Sequence, residues 1–225
     1  MPEAVPGDER LIAAARTLLR SDFLSERAER VADLAEWVAG FREFQRVAVN
    51  RRAVRVASWF QDAWCCPDWQ AGRFSPPLVL AVQPTDLQRE TAADLAARAL
   101  AGVADEPTRA TVVKAIRQMG VRDTIMPEAQ IVREASNLDS VGLLWLWGQA
   151  AKCLAEDRPV KWVIGLWERQ TDYHYWDRLI RETLRFERSR ELARHRCRQL
   201  ESCLIGLRDT LCGGDRHVAS AKPAT

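Results

Sequence analysis

Apolar residues recur along the chain at helical spacing, in segments that prolines, glycines and short polar runs separate. The pattern predicts a first helix over residues 8–19, and a second that places Val31 and Val38 on one face before Gly40 ends it. Residues 51–64 are apolar on more than one side, which indicates a central helix covered all round. No segment alternates apolar and polar residues as a strand would, so we predict an all-α fold.

Proline, glycine and capping residues mark the later boundaries. They predict a proline-rich loop over residues 73–84, then a helix that Thr85 caps and that runs to Ala101. Pro107 and Pro127 each mark the first turn of a further helix. A buried helix is predicted over residues 138–154, and an amphipathic helix over residues 193–211 ends at Gly213 and Gly214. We therefore expect one domain over residues 1–214, built as a bundle of about eight or nine helices, and a flexible C-terminal tail over residues 215–225.

Composition and charge narrow the classes of function. Hydrophobic residues make up 47% of the chain and charged residues 28%, as in ordinary globular proteins. The net charge is only +2, so no overall field attracts nucleic acid or an anionic membrane. The longest apolar run, near residues 141–147, is far shorter than the ~20 residues of a membrane span. The first residues lack a basic segment followed by an apolar run, so we expect a cytoplasmic protein whose six cysteines stay reduced.

Two short segments carry a family resemblance. In residues 56–64 an apolar run with a Trp-Phe pair leads into Gln61-Asp62, and in residues 134–142 Ser136 precedes a Leu-Asp pair and a glycine. The first segment resembles the His-Asp helix of the predicted metal-dependent HD phosphohydrolases. The second is similar to that family's late motif, with Ser136 where the last metal-binding Asp belongs. The order of the intervening segments also matches, so the resemblance covers nearly the whole chain and implies the HD-domain fold.

The resemblance also implies that three of the four metal ligands have been replaced. Arg30-Val31 matches a pair that follows the family's first His, which puts Arg27 at the His position. HD sites hold a divalent metal with imidazole nitrogens and carboxylates. Gln61 and Ser136 offer neutral oxygens, and Arg27 is a permanent cation. Only Asp62 is retained, and we expect an ion pair from Arg27 to Asp62 to join the same helices without a metal.

The leading expectation is a non-catalytic HD-like protein without a cofactor. It would serve as a binding or interaction module for a small phosphorylated ligand or a protein partner. The alternative is a phosphohydrolase acting on a nucleotide or another phosphomonoester. That enzyme would need an atypical site for Mn, Mg, Ni or Fe, built on Asp62 with Glu134 or Asp139 as substitute carboxylates.

Other residues allow two interpretations each. One predicted helix face carries Arg181, Arg185 and Arg188. The two interpretations of this face are a phosphate-binding stripe and a solvated surface whose positive charge is neutralised by glutamates. Cys65 and Cys66 with Asp68 would form a soft metal site, or the thiols are simply buried.

Tryptophans and histidines lie close to these segments. Seven of the nine tryptophans either pack the core or line a ligand pocket: Trp59, Trp64, Trp69, Trp145, Trp147, Trp162 and Trp167. We expect His195 on a solvated helix face and His174 packed at a corner between helices, while His217 lies outside both motif segments.

Overall fold

Helices account for every regular element of residues 8–213, the part of the chain that the computed structural model describes. The α-helices in this range are α1 (Asp8–Leu19), α2 (Asp22–Ala39), α3 (Arg51–Phe60), α4 (Cys66–Gln70), α5 (Asp86–Ala99), α6 (Glu106–Gln118), α7 (Pro127–Asp139), α8 (Leu143–Ala155), α9 (Lys161–Asp172), α10 (Tyr175–Thr183) and α11 (Glu187–Cys212). The all-α prediction is confirmed. The helices number slightly more than the eight or nine expected, because predicted long segments are interrupted.

The chain divides into two compact units between Ser140 and Val141. Unit 1 comprises residues 8–140 and unit 2 residues 141–213 of the described chain. The prediction of a single HD-type domain over residues 1–214 stays a prediction, and the expected tail at residues 215–225 lies outside the described residues. No helix within residues 8–213 has the length and apolar character that a membrane crossing requires.

Helix α2 occupies the centre of unit 1, where it packs against α3 and α7. Its inward face carries Val31 and Val38, both completely buried, as the periodicity predicts. Helix α3 packs in turn against α6, and α5 packs against α6. The three helices α2, α3 and α7 therefore bring the first motif segment, the late motif segment and Arg27 into one neighbourhood.

Side chains fix several helix starts in unit 1. The Ser21 hydroxyl accepts a hydrogen bond from the backbone N–H of Leu24, and Thr85 forms a complete capping box with Gln88. The predicted bounds of α1 and the predicted cap at Thr85 are confirmed.

Unit 2 is built from α8 to α11 around aromatic side chains. Trp145 of α8 and Trp176 of α10 meet edge to face with ring centroids 5.2 Å apart. Leu200 and Leu204 of α11 complete the cluster, which confirms the predicted apolar stripe on the last helix.

Two predicted helices are shorter than expected. Helix α3 ends at Phe60 instead of Trp64, so Gln61 and Asp62 lie on a turn before the 3₁₀-helix Ala63–Cys65. The predicted buried helix over residues 138–154 is wrong as one element, because α7 ends at Asp139 and α8 starts at Leu143. Gly142 lies between them with φ +87°, a conformation that side chains rarely adopt.

Candidate functional site

Arg27 joins two buried carboxylates of unit 1, Asp62 on the turn after α3 and Asp139 at the end of α7. Its Nε donates a hydrogen bond to Asp62 Oδ2 at 2.7 Å, and its Nη1 donates to Asp139 Oδ2 at 3.0 Å. Arg27 is 3% exposed, Asp62 7% and Asp139 1%. The predicted ion pair between Arg27 and Asp62 is confirmed. The sequence did not predict that Asp139, considered there only as a substitute metal ligand, would be the second partner.

Arg30, one helical turn after Arg27 on α2, extends this arrangement toward the surface. Its Nε donates to Asp139 Oδ1 at 3.0 Å, and its Nη1 donates to Glu26 Oε1 at 2.7 Å. Arg30 is partly exposed and Glu26 is exposed. Together these five residues form what we call the Arg27 network. Sequence reasoning missed Arg30 and Glu26 as members, although their spacing of four residues on one helix is the usual spacing of an ion pair.

The positive charge of buried Arg27 is compensated by the carboxylates of the network. Burial would lower the pKa of the Arg27 guanidinium, but the charges of Asp62 and Asp139 outweigh that effect and raise the pKa above its ordinary value. A buried ion is tolerated only when opposite charges and hydrogen bonds replace its hydration. The network compensates Arg27 in this way, because its Nε and its Nη1 each donate to a carboxylate.

These residues do not fit a divalent metal. The Arg27 guanidinium lies against the two carboxylates that would have to serve as ligands, and it carries a permanent positive charge. Among residues 8–213, no group of three His, Cys, Asp or Glu side chains has an arrangement suited to a metal ion. The donor set is therefore that of a salt-bridge cluster, in which the carboxylates already have a cation as their partner.

Gln61 and Ser136 differ in burial. Gln61 is 2% exposed, and neither its amide oxygen nor its amide nitrogen makes a hydrogen bond within the described chain. Ser136 is partly exposed, and its backbone carbonyl accepts a hydrogen bond from the Ser140 hydroxyl. Glu134, the other suggested substitute carboxylate, is buried on α7. Gln61 is thus a buried donor and acceptor at the position where the resemblance expects a metal-binding His.

Cys65, Cys66 and Asp68 do not converge on one point. Both cysteines are buried, whereas Asp68 is exposed and pairs with Arg73 at 2.6 Å. The hydrogen bond with Cys66, burial and the charge of Asp62 all raise the pKa of the Cys65 thiol. The same hydrogen bond lowers the pKa of the Cys66 thiol, so the exposed position of Asp68, and not these shifts, separates the two interpretations. The interpretation as buried thiols is the one that agrees with these positions.

The arginines near the C-terminus do not share a helix face, so that prediction is wrong. Arg181 lies on α10, Arg188 lies on α11, and Arg185 lies in the break between the two helices. All three side chains are exposed. The break occurs at Leu184 and Phe186, which flank the exposed Arg185 and are both at least 94% buried. Packing of these two apolar residues thus overrides the helical spacing of the arginines.

The structure contains examples of both roles suggested for the tryptophans, lining a cavity and packing in the core. A cavity of about 310 Å³ in unit 2 is lined by Trp167, Trp176 and Cys197 among others. Burial raises the pKa of the Cys197 thiol to about 11, so the thiol is neutral near pH 7. Other predicted tryptophans are buried in the core, namely Trp59, Trp64 and Trp145.

The histidines within the described residues are both exposed. This confirms the expectation for His195, whereas His174 stands at the corner between α9 and α10 without being buried there. His217 lies outside the described residues.

No protein-family model, curated protein or solved structure matches this chain. The resemblance to HD phosphohydrolases therefore depends on the two motif segments and their order along the sequence.

Proposed function

We propose that this chain is a non-catalytic relative of the HD phosphohydrolases, whose metal site has been replaced by the Arg27 network and whose role is to bind a partner. The observation that carries the proposal is the position of the Arg27 guanidinium, 2.7 Å from Asp62 and 3.0 Å from Asp139. In a metal-dependent hydrolase of this family a carboxylate at the position of Asp62 would bind a divalent ion, and Asp139 is the candidate for a substitute ligand. Here a side chain of the protein itself already neutralises them.

The chemistry of the replaced positions supports the same conclusion. A hydrolase of this class needs a metal that polarises the phosphoryl group and lowers the pKa of a bound water. Arg27 opposes the binding of a second cation nearby, since two positive charges in a buried site repel strongly. Gln61 substitutes an amide for an imidazole, and amide oxygen is a poor ligand for the transition metals that imidazole favours.

What the site retains is suited to binding. The amide of Gln61, the residue before Asp62 in the sequence, is buried without a hydrogen-bond partner in the described chain, so a ligand that reaches it would find one acceptor and one donor group. A buried polar group without a partner costs roughly 1 to 3 kcal/mol, so a ligand that pairs with it recovers that cost on binding. The proposed ligand therefore carries both a donor and an acceptor, as an amide, a nucleobase edge or a protonated phosphate does.

Metal content and activity test the non-catalytic assignment together. The full chain is purified without chelators, its Mn, Ni, Fe and Mg contents are measured, and hydrolysis of nucleotides and p-nitrophenyl phosphate is followed with each metal added. We expect metal well below one equivalent and no turnover above that of buffer. Stoichiometric metal that disappears in Asp62→Ala together with phosphatase activity would establish the alternative, a phosphohydrolase with an atypical site.

Restoring the family's ligands provides the positive arm. The variant Arg27→His/Gln61→His/Ser136→Asp removes the buried cation and returns two imidazoles and a carboxylate to the site. We expect it to bind Mn²⁺ or Ni²⁺ in calorimetry, whereas Arg27→Met alone, which removes the same cation without adding a ligand, does not. If the triple variant is folded by circular dichroism and still binds no metal, the placement of the lost ligands is wrong.

A further inference from the structure

Helix α8 presents apolar side chains on the face that points away from its own core. Leu143 is 49% exposed, Trp147 60% and Leu154 86%. At 100° per residue these positions lie within a narrow arc of the helix, and Ala150 falls in the same arc. We call Leu143, Trp147, Ala150 and Leu154 the α8 stripe. It runs along about three turns of the helix.

The opposite side of α8 is the one that packs into unit 2. Trp145, Gln149 and Cys153 are each 6% exposed and lie outside the arc of the α8 stripe, with Trp145 almost opposite its centre. Of the two polar residues of the helix, Gln149 is buried, and Lys152 lies outside the α8 stripe with its side chain 38% exposed and its Nζ 3.9 Å from Glu156 Oε1. A surface helix ordinarily has its polar residues facing solvent. The α8 stripe itself carries no charged or polar side chain, and an exposed apolar patch of this kind is typical of a surface that binds another protein.

We propose that the α8 stripe joins two copies of this chain about a twofold axis, with the two α8 helices antiparallel. In this arrangement the stripe of the second copy presents its four residues in the reverse order to the stripe of the first. Leu143 of one copy then lies opposite Leu154 of the other, and Trp147 lies opposite Ala150. A twofold interface uses the same patch on both copies and must fit itself. A bulky indole that faces a methyl group at two related places satisfies that requirement.

A second copy suits this surface better than the other candidates that the chain offers. The stripe has no charge with which to select a charged partner, and the net charge of +2 gives two copies little mutual repulsion. The segments outside the described residues, 1–7 and 214–225, contain no Leu, Ile, Phe, Trp or Tyr that could cover Trp147. An identical stripe supplies large apolar side chains in the complementary order.

The size of the stripe predicts a weak or moderate dimer. Its exposed side chains present an accessible surface on the order of 400 Å² per copy, so a pair of stripes buries on the order of 800 Å² in total before flanking residues contribute. The smaller specific protein interfaces bury about 1,200 Å² in total. We therefore expect a dissociation constant in the micromolar range and a dimer that forms on concentration. The inference does not depend on the proposed function, because the α8 stripe shares no residue with the Arg27 network.

Sedimentation velocity and light scattering of the full chain, over a roughly hundredfold range of concentration around the micromolar level, test the dimer. We expect the dimer fraction to rise with concentration, and Trp147→Glu and Leu154→Glu each to weaken the association at least tenfold. The matched control is Ile125→Glu, which changes a 94% exposed apolar residue of unit 1 and should associate as the unmodified chain does. Circular dichroism verifies that each variant is folded. A chain that stays monomeric, or a dimer that both stripe variants leave intact, overturns the proposal.

Cysteine cross-linking tests the antiparallel order. The background variant replaces the cysteines that are not buried, Cys197, Cys203 and Cys212, by Ser. Leu143→Cys chains mixed with Leu154→Cys chains should cross-link through a short bis-maleimide linker. Neither variant alone should do so, because like positions lie about 16 Å apart along antiparallel helices. Efficient cross-linking of Leu143→Cys with itself would overturn the antiparallel arrangement.

Discussion

The helices of unit 1 and unit 2 begin in different ways. In unit 1 a side chain accepts a hydrogen bond from the first turn of four helices, and those caps are Ser21, Asn50, Thr85 and Asp105. In unit 2 no side chain caps the start of α8, α9, α10 or α11. The start of a helix is thus encoded locally in much of unit 1, whereas in unit 2 it depends on which apolar residues enter the core.

The two units also differ in what they bury. Unit 1 encloses charged groups, with Arg27, Asp62 and Asp139 among its least exposed residues. Unit 2 instead has a cluster of aromatic and aliphatic side chains inside, built around Trp145 and Trp176. Buried charges give a unique arrangement only if every partner is present, while apolar contacts tolerate more variation. We therefore expect single substitutions at the charges of unit 1 to have the largest effects in the molecule.

Removal of Arg27 should produce the largest loss. Arg27→Met leaves Asp62 buried without the side-chain partner that the structure gives it, and an uncompensated buried charge costs about 3 to 5 kcal/mol. We expect this decrease in the free energy of unfolding in urea titrations followed by circular dichroism. Arg30→Met is the matched control, because Arg30 is partly exposed and Asp139 keeps its bond to Arg27. Its expected cost is about 1 kcal/mol.

A variant that removes the buried charges together tests the origin of that loss. Replacement of a buried ion cluster by apolar residues of similar size is often neutral or even stabilising. Arg27→Met/Asp62→Leu/Asp139→Leu should therefore be more stable than Arg27→Met alone. If the triple variant is less stable than the single one, the network contributes through geometry that apolar residues cannot replace, and the distinction between the units weakens.

Gly142, at the start of unit 2, should give the next largest effect. Gly142→Ala places a side chain at φ +87°, and the new Cβ would lie 2.8 Å from the Cβ of Arg196 on α11. The strained backbone and the close contact together should cost about 2 to 3 kcal/mol in urea unfolding. The control is Gly206→Ala within α11, where a Cβ meets nothing within 4 Å. It should stabilise by about 0.5 to 1 kcal/mol, since alanine favours the helix. Equal effects at the two glycines would contradict this explanation.

The sequence also predicts the helix boundaries of unit 1 better than those of unit 2. In unit 1 the bounds of α1, the cap at Thr85 and the proline starts of α6 and α7 agree with the structure, because each depends on nearby residues. In unit 2 the sequence did not predict the break at Gly142 or the break before α11. Gly142 is a single glycine within an apolar run, and its effect depends on the close approach of Arg196, which is distant in the sequence.

The candidate site could be predicted only in part. The pairing of Arg27 with Asp62 followed from the order of the motif segments, since a buried carboxylate without a metal needs a cation. The place of Asp139 in the network was not predictable, because its distance from Arg27 is set by the packing of α7 against α2. The HD-type fold itself stays a prediction based on the motif segments.

The smallest of these effects should come from the capping box of α5. Thr85→Ala removes the hydroxyl that accepts from the Gln88 N–H at 3.3 Å and leaves that donor without its cap, so we expect a loss of about 1 kcal/mol in urea unfolding. Thr91→Ala on the same helix is the matched control. The Thr91 hydroxyl bonds only to the carbonyl of Leu87, one turn earlier, and alanine is the better helix former, so the control should be neutral or slightly stabilising. If both variants lose the same amount, local caps do not set the helix starts of unit 1, and its contrast with unit 2 must lie in the buried charges alone.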